Sequence, residues 1–328
     1  MKLDIESVRM LLPNNVQPLF DDIVEQRVLG ASNHISMIGE MIESIALTGK
    51  KNHSEVKEII EKIQEVTNYF IKTRGEASQA ISNAIMLMTN HIESLIDVDL
   101  EEAVDKIITR KNSYLAYNSN ATEKVLECAS SVVEDMRNIL VYDYSSTVDK
   151  LLKKIGGANQ TYTIYIPESR IIDGGLPYVK SCKEAGHTIK FFPDAALMYY
   201  LKECDVALMG AETFFPNGTG FNTTGSDLVG LACDYYNIPL YFLTPLIKLD
   251  IRPIYGYKKE LVINDLTKKL TKEWPDHSLA ENIDFKSPEL LGVEPKFISG
   301  FITEKGLIPT EEMFNVSVEY YKELGGVI

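Results

Sequence analysis

Four short segments in the second half of the chain carry side chains suited to chemistry. The first, Val141-Tyr142-Asp143-Tyr144-Ser145-Ser146-Thr147, joins a carboxylate to a run of hydroxyls. Hydroxyls and unpaired amide donors at a helix start suit a phosphate or carboxylate, and Ser145 and Ser146 are the candidates. Asp143 opposes an anion there unless it bonds a sugar hydroxyl or holds a proton. The same residues read equally well as a capped helix start. The second segment is Pro167-Glu168-Ser169-Arg170, followed by Asp173-Gly174-Gly175. Arg170 can clamp a phosphate through its guanidinium fork, or pair with Glu168 and stiffen the loop. The third, Gly210-Ala211-Glu212-Thr213-Phe214-Phe215-Pro216-Asn217-Gly218, sets Glu212 directly after a strand, where it is placed for proton transfer. The fourth, Phe221-Asn222-Thr223-Thr224-Gly225-Ser226, opens a helix over 227–236 with another anion-suited start. Tyr144, Phe214 and Phe215 are aromatic candidates for stacking on a base or sugar, against the plainer reading as packed residues. Neither the glycine pattern of dinucleotide sites nor a Walker phosphate loop is present.

The elements that must position these segments follow from hydrophobic spacing. In the first half, Ile35, Ile38, Met41, Ile42 and Ile45 recur at intervals of three and four. So do Val56, Ile59, Ile60, Ile63, Val66 and Phe70, and then Ile81, Ile85, Leu87, Met88 and Ile92. Each set makes one stripe on a helix over 33–47, 54–71 and 77–96, which predicts a helical bundle. A longer helix over 100–138 is expected to follow, with a break near 112–120. From residue 138 the texture changes to short β-rich runs at 139–142, 161–166, 188–192, 206–209 and 240–243, separated by amphipathic stretches. That alternation predicts a mostly parallel sheet covered on both faces, with the four segments along the edge where its strands end. The expected domains are therefore a helical one over 1–137 and a Rossmann-like α/β one over 138–328.

At 328 residues, 45% hydrophobic and 24% charged, the chain has an ordinary globular composition with room for two domains. A net charge of −14 argues against direct nucleic-acid binding and against an anionic membrane surface. Cys128, Cys182, Cys204 and Cys233 are scattered without a C-x-x-C pair, and the five histidines are dispersed. These spacings support no metal site, and no cofactor is expected. The start, MKLDIESVRMLLPNN, has charges among its first residues and does not read as a secretory leader, so a cytoplasmic location is expected.

The order Tyr-Asp-Tyr-Ser-Ser, Glu-Ser-Arg, Gly-Ala-Glu, Asn-Gly and Asn-x-x-Gly-Ser resembles one superfamily. It contains the regulatory alpha, beta and delta subunits of translation initiation factor 2B. It also contains isomerases of methylthioribose 1-phosphate and ribose 1,5-bisphosphate. Leu29-Gly30-Ala31-Ser32 resembles its early Gly-Ala turn, and Thr73-Arg74-Gly75-Glu76 with Asn83-Ala84 its Thr-Arg-Pro-Thr…Asn-Ala helix start. Pro295 to Gly306 resembles its closing segment. The likeness spans nearly the whole chain.

The resemblance implies a helical domain, a Rossmann-like domain, a phosphorylated small-molecule ligand, and a homodimer or larger homo-oligomer, with paralogous subunits as alternative partners. By the same resemblance Gly30, Ala31, Arg74, Tyr144, Ser145, Ser146, Arg170, Asn222, Thr223, Gly225 and Ser226 are ligand-binding candidates. The departures concern chemistry. Asp143 stands where the isomerases carry a catalytic Cys, and Glu212 where they carry an Asp. Leu29 replaces an Arg, Gly174 a Gln and Thr223 a Lys. Losing one charge-assisted phosphate contact costs about 1.5–3 kcal/mol of binding. Two readings stand: a non-catalytic binder of a phosphorylated sugar or nucleotide, like the initiation-factor subunits, or an aldose–ketose isomerase of a sugar 1-phosphate. In the second, Asp143 and Glu212 form the acid/base pair, which requires environments that push their pKa values apart.

Overall fold

Burial in the N-terminal half follows the apolar stripes. The chain is described here from a computed structural model covering residues 5–28, 30–76, 78–157 and 161–326. Its first helices are α1 (Ile5–Met10), α2 (Gln17–Val24), α3 (Ala31–Lys51), α4 (Val56–Phe70), α5 (Gln79–Thr89) and α6 (Leu100–Val133). The stripe residues of α3 and α4 are buried in one core together with Ile81, Ile85, Met88 and Ile92. Two local departures from the sequence pattern have identifiable causes. α4 runs on into a π turn at Ile71–Gly75, where a Cβ on Gly75 would overlap the Ser82 hydroxyl. The helix expected over 77–96 ends at Thr89, because His91 adopts left-handed backbone at φ +52° and a 3₁₀ turn, Ile92–Leu95, follows. α6 is continuous through 112–120, the stretch of Asn112, Asn118 and Asn120 where a break is expected. Their propensity deficit is a few tenths of a kcal/mol each, too small to interrupt a long helix.

By its contacts the chain divides into two compact units. The helical unit holds Met1–Asn120, Ile247–Leu249 and Val318–Ile328, and the α/β unit holds Ala121–Leu246 and Asp250–Ser317. Within the helical unit, the Asn83 carboxamide donates to the carbonyls of Ile247 and Leu249, each at 2.8 Å.

The α/β unit begins its sheet at β1 (Asn138–Tyr142), followed by α7 (Ser146–Ile155), β2 (Thr163–Pro167), α8 (Leu176–Glu184), β3 (Thr188–Phe192), α9 (Leu197–Leu201) and β4 (Val206–Gly210). Then come β5 (Thr213–Phe214), β6 (Gly220–Thr223), α10 (Ser226–Tyr236), β7 (Leu240–Leu243), β8 (Ile263–Asp265), α11 (Thr267–Leu270) and β9 (Lys286–Pro288). β10 (Leu290–Val293), β11 (Gly300–Thr303) and β12 (Gly306–Pro309) complete its strands, and α12 (Met313–Glu323) follows, its residues from Val318 on counted with the helical unit. The main sheet runs β12-β11-β7-β4-β1-β2-β3, and all its neighbours are parallel except the β11–β12 pair. β1 and β4 are buried along almost their whole length, as parallel strands covered on both faces must be. This is the mostly parallel Rossmann-like sheet that the alternation predicts, with an added antiparallel edge. A second, antiparallel sheet of order β10-β6-β5 carries the loop toward α10. Among the described residues no helix is long and apolar enough to cross a membrane.

Candidate functional site

The order of the parallel strands reverses between β1 and β4, which opens a crevice outside their carboxyl ends. The register pairs Tyr142 with Met209, so Asp143, just past β1, and Ala211-Glu212, just past β4, sit at the same edge. The loop after β2 lies beside them, since β2 is β1's other neighbour.

Asp143 is the most constrained residue of this edge. It is 3% exposed and holds left-handed backbone at φ +55°. Its Oδ1 accepts from the Ser169 hydroxyl at 2.9 Å and its Oδ2 from the Thr223 hydroxyl at 2.7 Å. Its carbonyl accepts from the Tyr178 hydroxyl at 2.8 Å, and that hydroxyl in turn accepts from the Ser145 N–H at 2.8 Å. Burial penalises the carboxylate and pushes its pKa up. Hydrogen bonds from Thr223, Ser169 and the Tyr144 N–H pull the other way, and the nearby charge of Asp194 adds to the rise. Gly174 packs so closely that a Cβ there would overlap Asp143 Oδ1. With an aspartate in this pose, position 174 has no room for the Gln that the resemblance implies.

The remaining candidates separate into committed and available groups. Ser145 caps α7, its Oγ facing the Val148 N–H at 3.5 Å, while Ser146 is exposed. Thr223, expected to hold ligand, has its hydroxyl on Asp143 instead. The Ser226 hydroxyl, also expected to hold ligand, is fully buried and donates to the Thr223 carbonyl at 2.8 Å. Gly225 has φ +103°, and a Cβ there would overlap the Tyr142 hydroxyl. Asn222 is 7% exposed; its Oδ1 accepts from the Thr223 N–H at 2.9 Å, and its Nδ2 has no partner. Arg170 is exposed and stands 3.9 Å from Glu168, a contact that contributes little. Tyr144 is exposed, its ring 5.5 Å from that of Tyr178. Phe214 is fully buried against Phe301, and Phe215 packs on Phe221, which makes both of them packing residues.

Glu212 is exposed, with its N–H bonded to the Phe221 carbonyl at 2.8 Å. No hydrogen bond joins its carboxylate to Asp143 among the described residues. Gly30, Ala31 and Arg74 belong to the helical unit. Gly30, at φ +94°, precedes α3 and is exposed, and Ala31 begins that helix. Arg74 Nη2 donates to the carbonyls of Ile23 and Val24 at 2.7 and 2.9 Å, satisfying the open end of α2. Leu29 lies outside the described residues.

Sequence reasoning did not single out Tyr178, Asp194 or Lys269. Asp194 accepts from the N–H groups of Ser169 and Arg170, each at 2.9 Å, and Lys269 pairs with Asp173 at 2.7 Å. Asp194 lies two residues past β3, a position that points to this edge; the other two have no such signal.

A family model, that of the initiation factor 2 subunit family, matches residues 32–310. The chain belongs to that family. A ribose 1,5-bisphosphate isomerase of Pyrococcus furiosus is 22% identical over 317 residues, covering 95% of each chain. A putative translation initiation factor eIF-2B subunit 2-like protein of the same organism is also 22% identical, covering 92% of this chain and 100% of the other. The fold matches the crystal structure of 5-methylthioribose 1-phosphate isomerase from Pyrococcus horikoshii OT3 with a TM-score of 0.72 at 17% identity, covering 96% and 92% of the two chains. Equal identity to relatives of both kinds leaves the decision to the site. There, none of the four cysteines takes the position of Asp143. Cys182, Cys204 and Cys233 are buried and Cys128 half-buried, and burial pushes the Cys182 and Cys233 thiols up to about 12.

Proposed function

We propose that this protein binds a phosphorylated sugar or nucleotide at the loops following β1, β2 and β6, without thiol chemistry, in the manner of an initiation factor 2B regulatory subunit. The observation that carries this reading is the state of Asp143. It occupies the place of the isomerases' Cys, as the resemblance implies, and its two oxygens are held by Ser169 and Thr223. Glu212, the other half of the supposed acid/base pair, is exposed and not bonded to it. A general acid or base must come within hydrogen-bond reach of the proton it moves. An exposed carboxylate and a doubly held one are a poor pair for that task. Donors that remain for a ligand are the Asn222 amide, the Ser146 hydroxyl and the Arg170 guanidinium.

One observation favours the isomerase alternative: the raised pKa of Asp143 is the kind of shift that general acids carry. A thermal-shift screen against aldose 1-phosphates, ketose phosphates and nucleoside monophosphates, with NMR on every hit, separates the two. A ligand at a hundred times its dissociation constant adds about 2.7 kcal/mol of stability. Stabilisation without conversion is the expected result. Conversion of any hit would replace this reading with the isomerase, and the absence of any stabilising phosphorylated ligand would remove both. The same reading makes the chain at least a homodimer, alone or with paralogous subunits, and light scattering of the purified chain tests this.

A further inference from the structure

A hairpin between β7 and β10 is fastened on both sides of Asp143. Its strands β8 and β9 pair antiparallel, and α11 follows β8. The base of the hairpin is tied to β6. The Thr224 N–H donates to the Glu289 carbonyl at 3.1 Å and its hydroxyl to the Pro288 carbonyl, while the Lys259 ammonium stands 5.7 Å from the centre of the Phe221 ring. The other attachment is to the loop after β2, where Lys269 Nζ on α11 lies 2.7 Å from Asp173 Oδ2. Thr224 adjoins Thr223, which donates to Asp143 Oδ2. Asp173 lies in the turn of Ser169, which donates to Asp143 Oδ1, and the Gly174 N–H closes that turn on the Ser169 carbonyl at 3.2 Å. Gly174 in turn packs against Asp143 and the Tyr144 nitrogen, so Lys269 is held beside the loop that runs from Asp143 to Ser146.

The orientation of α11 is the reverse of what solvation alone selects. Leu270 is 38% exposed and Lys268 faces solvent, while the Lys269 side chain keeps only 26% of its surface. Asp173 keeps 65% of its own, and an ion pair so open to water contributes little, so the pair alone does not account for a lysine turned inward. The charge of the edge does. Asp143, Glu168, Asp173 and Asp194 all stand on these loops, and the resemblance puts a Lys of the relatives where this chain has Thr223. A phosphate placed here meets several like charges unless a cation accompanies it, and Arg170 is exposed beside Glu168. An ammonium has three N–H donors; Asp173 takes one, which leaves two for phosphate oxygens. We infer that Lys269 is a ligand-binding residue of the α/β site, supplying the cation that holds the phosphate monoester group of its ligand. This rests on the phosphorylated-ligand reading given above.

Titration calorimetry of the full chain at constant ionic strength, with ribose 5-phosphate and AMP as probes, tests the assignment in five proteins. These are the wild type, Lys269→Met, Lys269→Arg, Asp173→Asn and Lys268→Met, the last as a control for the loss of a neighbouring charge. Lys269→Met should weaken binding by roughly tenfold or more, the size of a lost charge-assisted contact. Lys269→Arg keeps the charge and should bind within a few-fold of wild type, and Lys268→Met should bind as wild type does. Asp173→Asn separates a ligand contact from a latch. It frees the ammonium for phosphate, so binding should stay equal or tighten, whereas a lysine that only pins the loop would make this variant as weak as Lys269→Met. That result overturns the assignment, as does wild-type affinity in Lys269→Met or an equal loss in Lys268→Met. In those cases wild-type binding still stands and the phosphorylated-ligand reading with it. Binding of neither probe to the wild type overturns both.

Discussion

The Ser169 hydroxyl donates to Asp143 Oδ1 across 2.9 Å, and both residues hold left-handed backbone, at φ +49° and +55°. Non-glycine residues in that region cost roughly 1 kcal/mol or more each and persist only where neighbours enforce them. Here the neighbours are identifiable. Tyr178 holds the Asp143 carbonyl, and Asp194 takes the N–H groups of Ser169 and Arg170 in its two oxygens. Two parallel strands thus end in two strained turns bonded to each other, at the edge where a ligand would sit.

Asp194 is therefore expected to hold the loop after β2. Asp194→Ala removes two charge-assisted bonds, and the chain should lose about 2–4 kcal/mol in urea unfolding. The same change removes a nearby negative charge that pushes the Asp143 carboxyl up. A loss below about half a kcal/mol would mean that the left-handed turn at Ser169 needs no such anchor.

The pH dependence follows from Asp143. Its pKa in the folded chain is raised above the ordinary aspartate value near 4. The folded state therefore binds more protons than the unfolded state between those two values. The contribution of Asp143 is fully present below about pH 4 and is lost as pH rises through the folded value. Asp143→Asn cannot ionise, so its melting temperature relative to wild type should climb across this window by about 2–4 °C per kcal/mol and then level off. Melting curves between pH 3.5 and 8 check this; a constant difference would show that Asp143 ionises as freely in the folded chain as in the unfolded one.

Much of the frame was legible in the sequence because it rests on local period. The stripes of α3 and α4 are the observed core, and β1 to β4 and β7 fall on the predicted runs. The strands β5, β6 and β8 to β10 have two to four residues each, too few for a period of two to register. The site was legible by segment but not by partner. Asp143 meets Ser169 across 26 positions and Thr223 across 80, and only tertiary folding brings them together. The helix start predicts Thr223 and Ser226 as ligand donors. Sequence could not reveal that one hydroxyl serves a buried carboxylate and the other its own turn.

Position 174 tests whether the departures at Asp143 and Gly174 are coupled. A Cβ at Gly174 would overlap Asp143 Oδ1 and come within 3.1 Å of the Tyr144 nitrogen. Gly174→Ala should cost about 1–3 kcal/mol, the usual range for overpacking. In an Asp143→Ala background the same change should cost clearly less, since the colliding carboxyl is gone. The double-mutant cycle should return a coupling of about 0.5 kcal/mol or more. Strict additivity would separate the two positions and leave the glycine without this explanation.

Asn222 provides the sharpest test of ligand binding at the α/β loops. Its Nδ2 is buried without a partner while its Oδ1 serves only the adjacent Thr223 N–H. In the ligand-free chain that donor contributes no hydrogen bond, so Asn222→Ala should change stability by no more than about 1 kcal/mol. Bound to a phosphorylated ligand, the same donor would meet a charged oxygen. Its loss should then weaken the affinity of any sugar phosphate that stabilises the wild type by roughly tenfold or more. Calorimetry on the two proteins reads the affinity and melting curves read the stability. An Asn222→Ala protein that binds as tightly as wild type would move the ligand away from β6. One that loses several kcal/mol without ligand would make the residue a structural one.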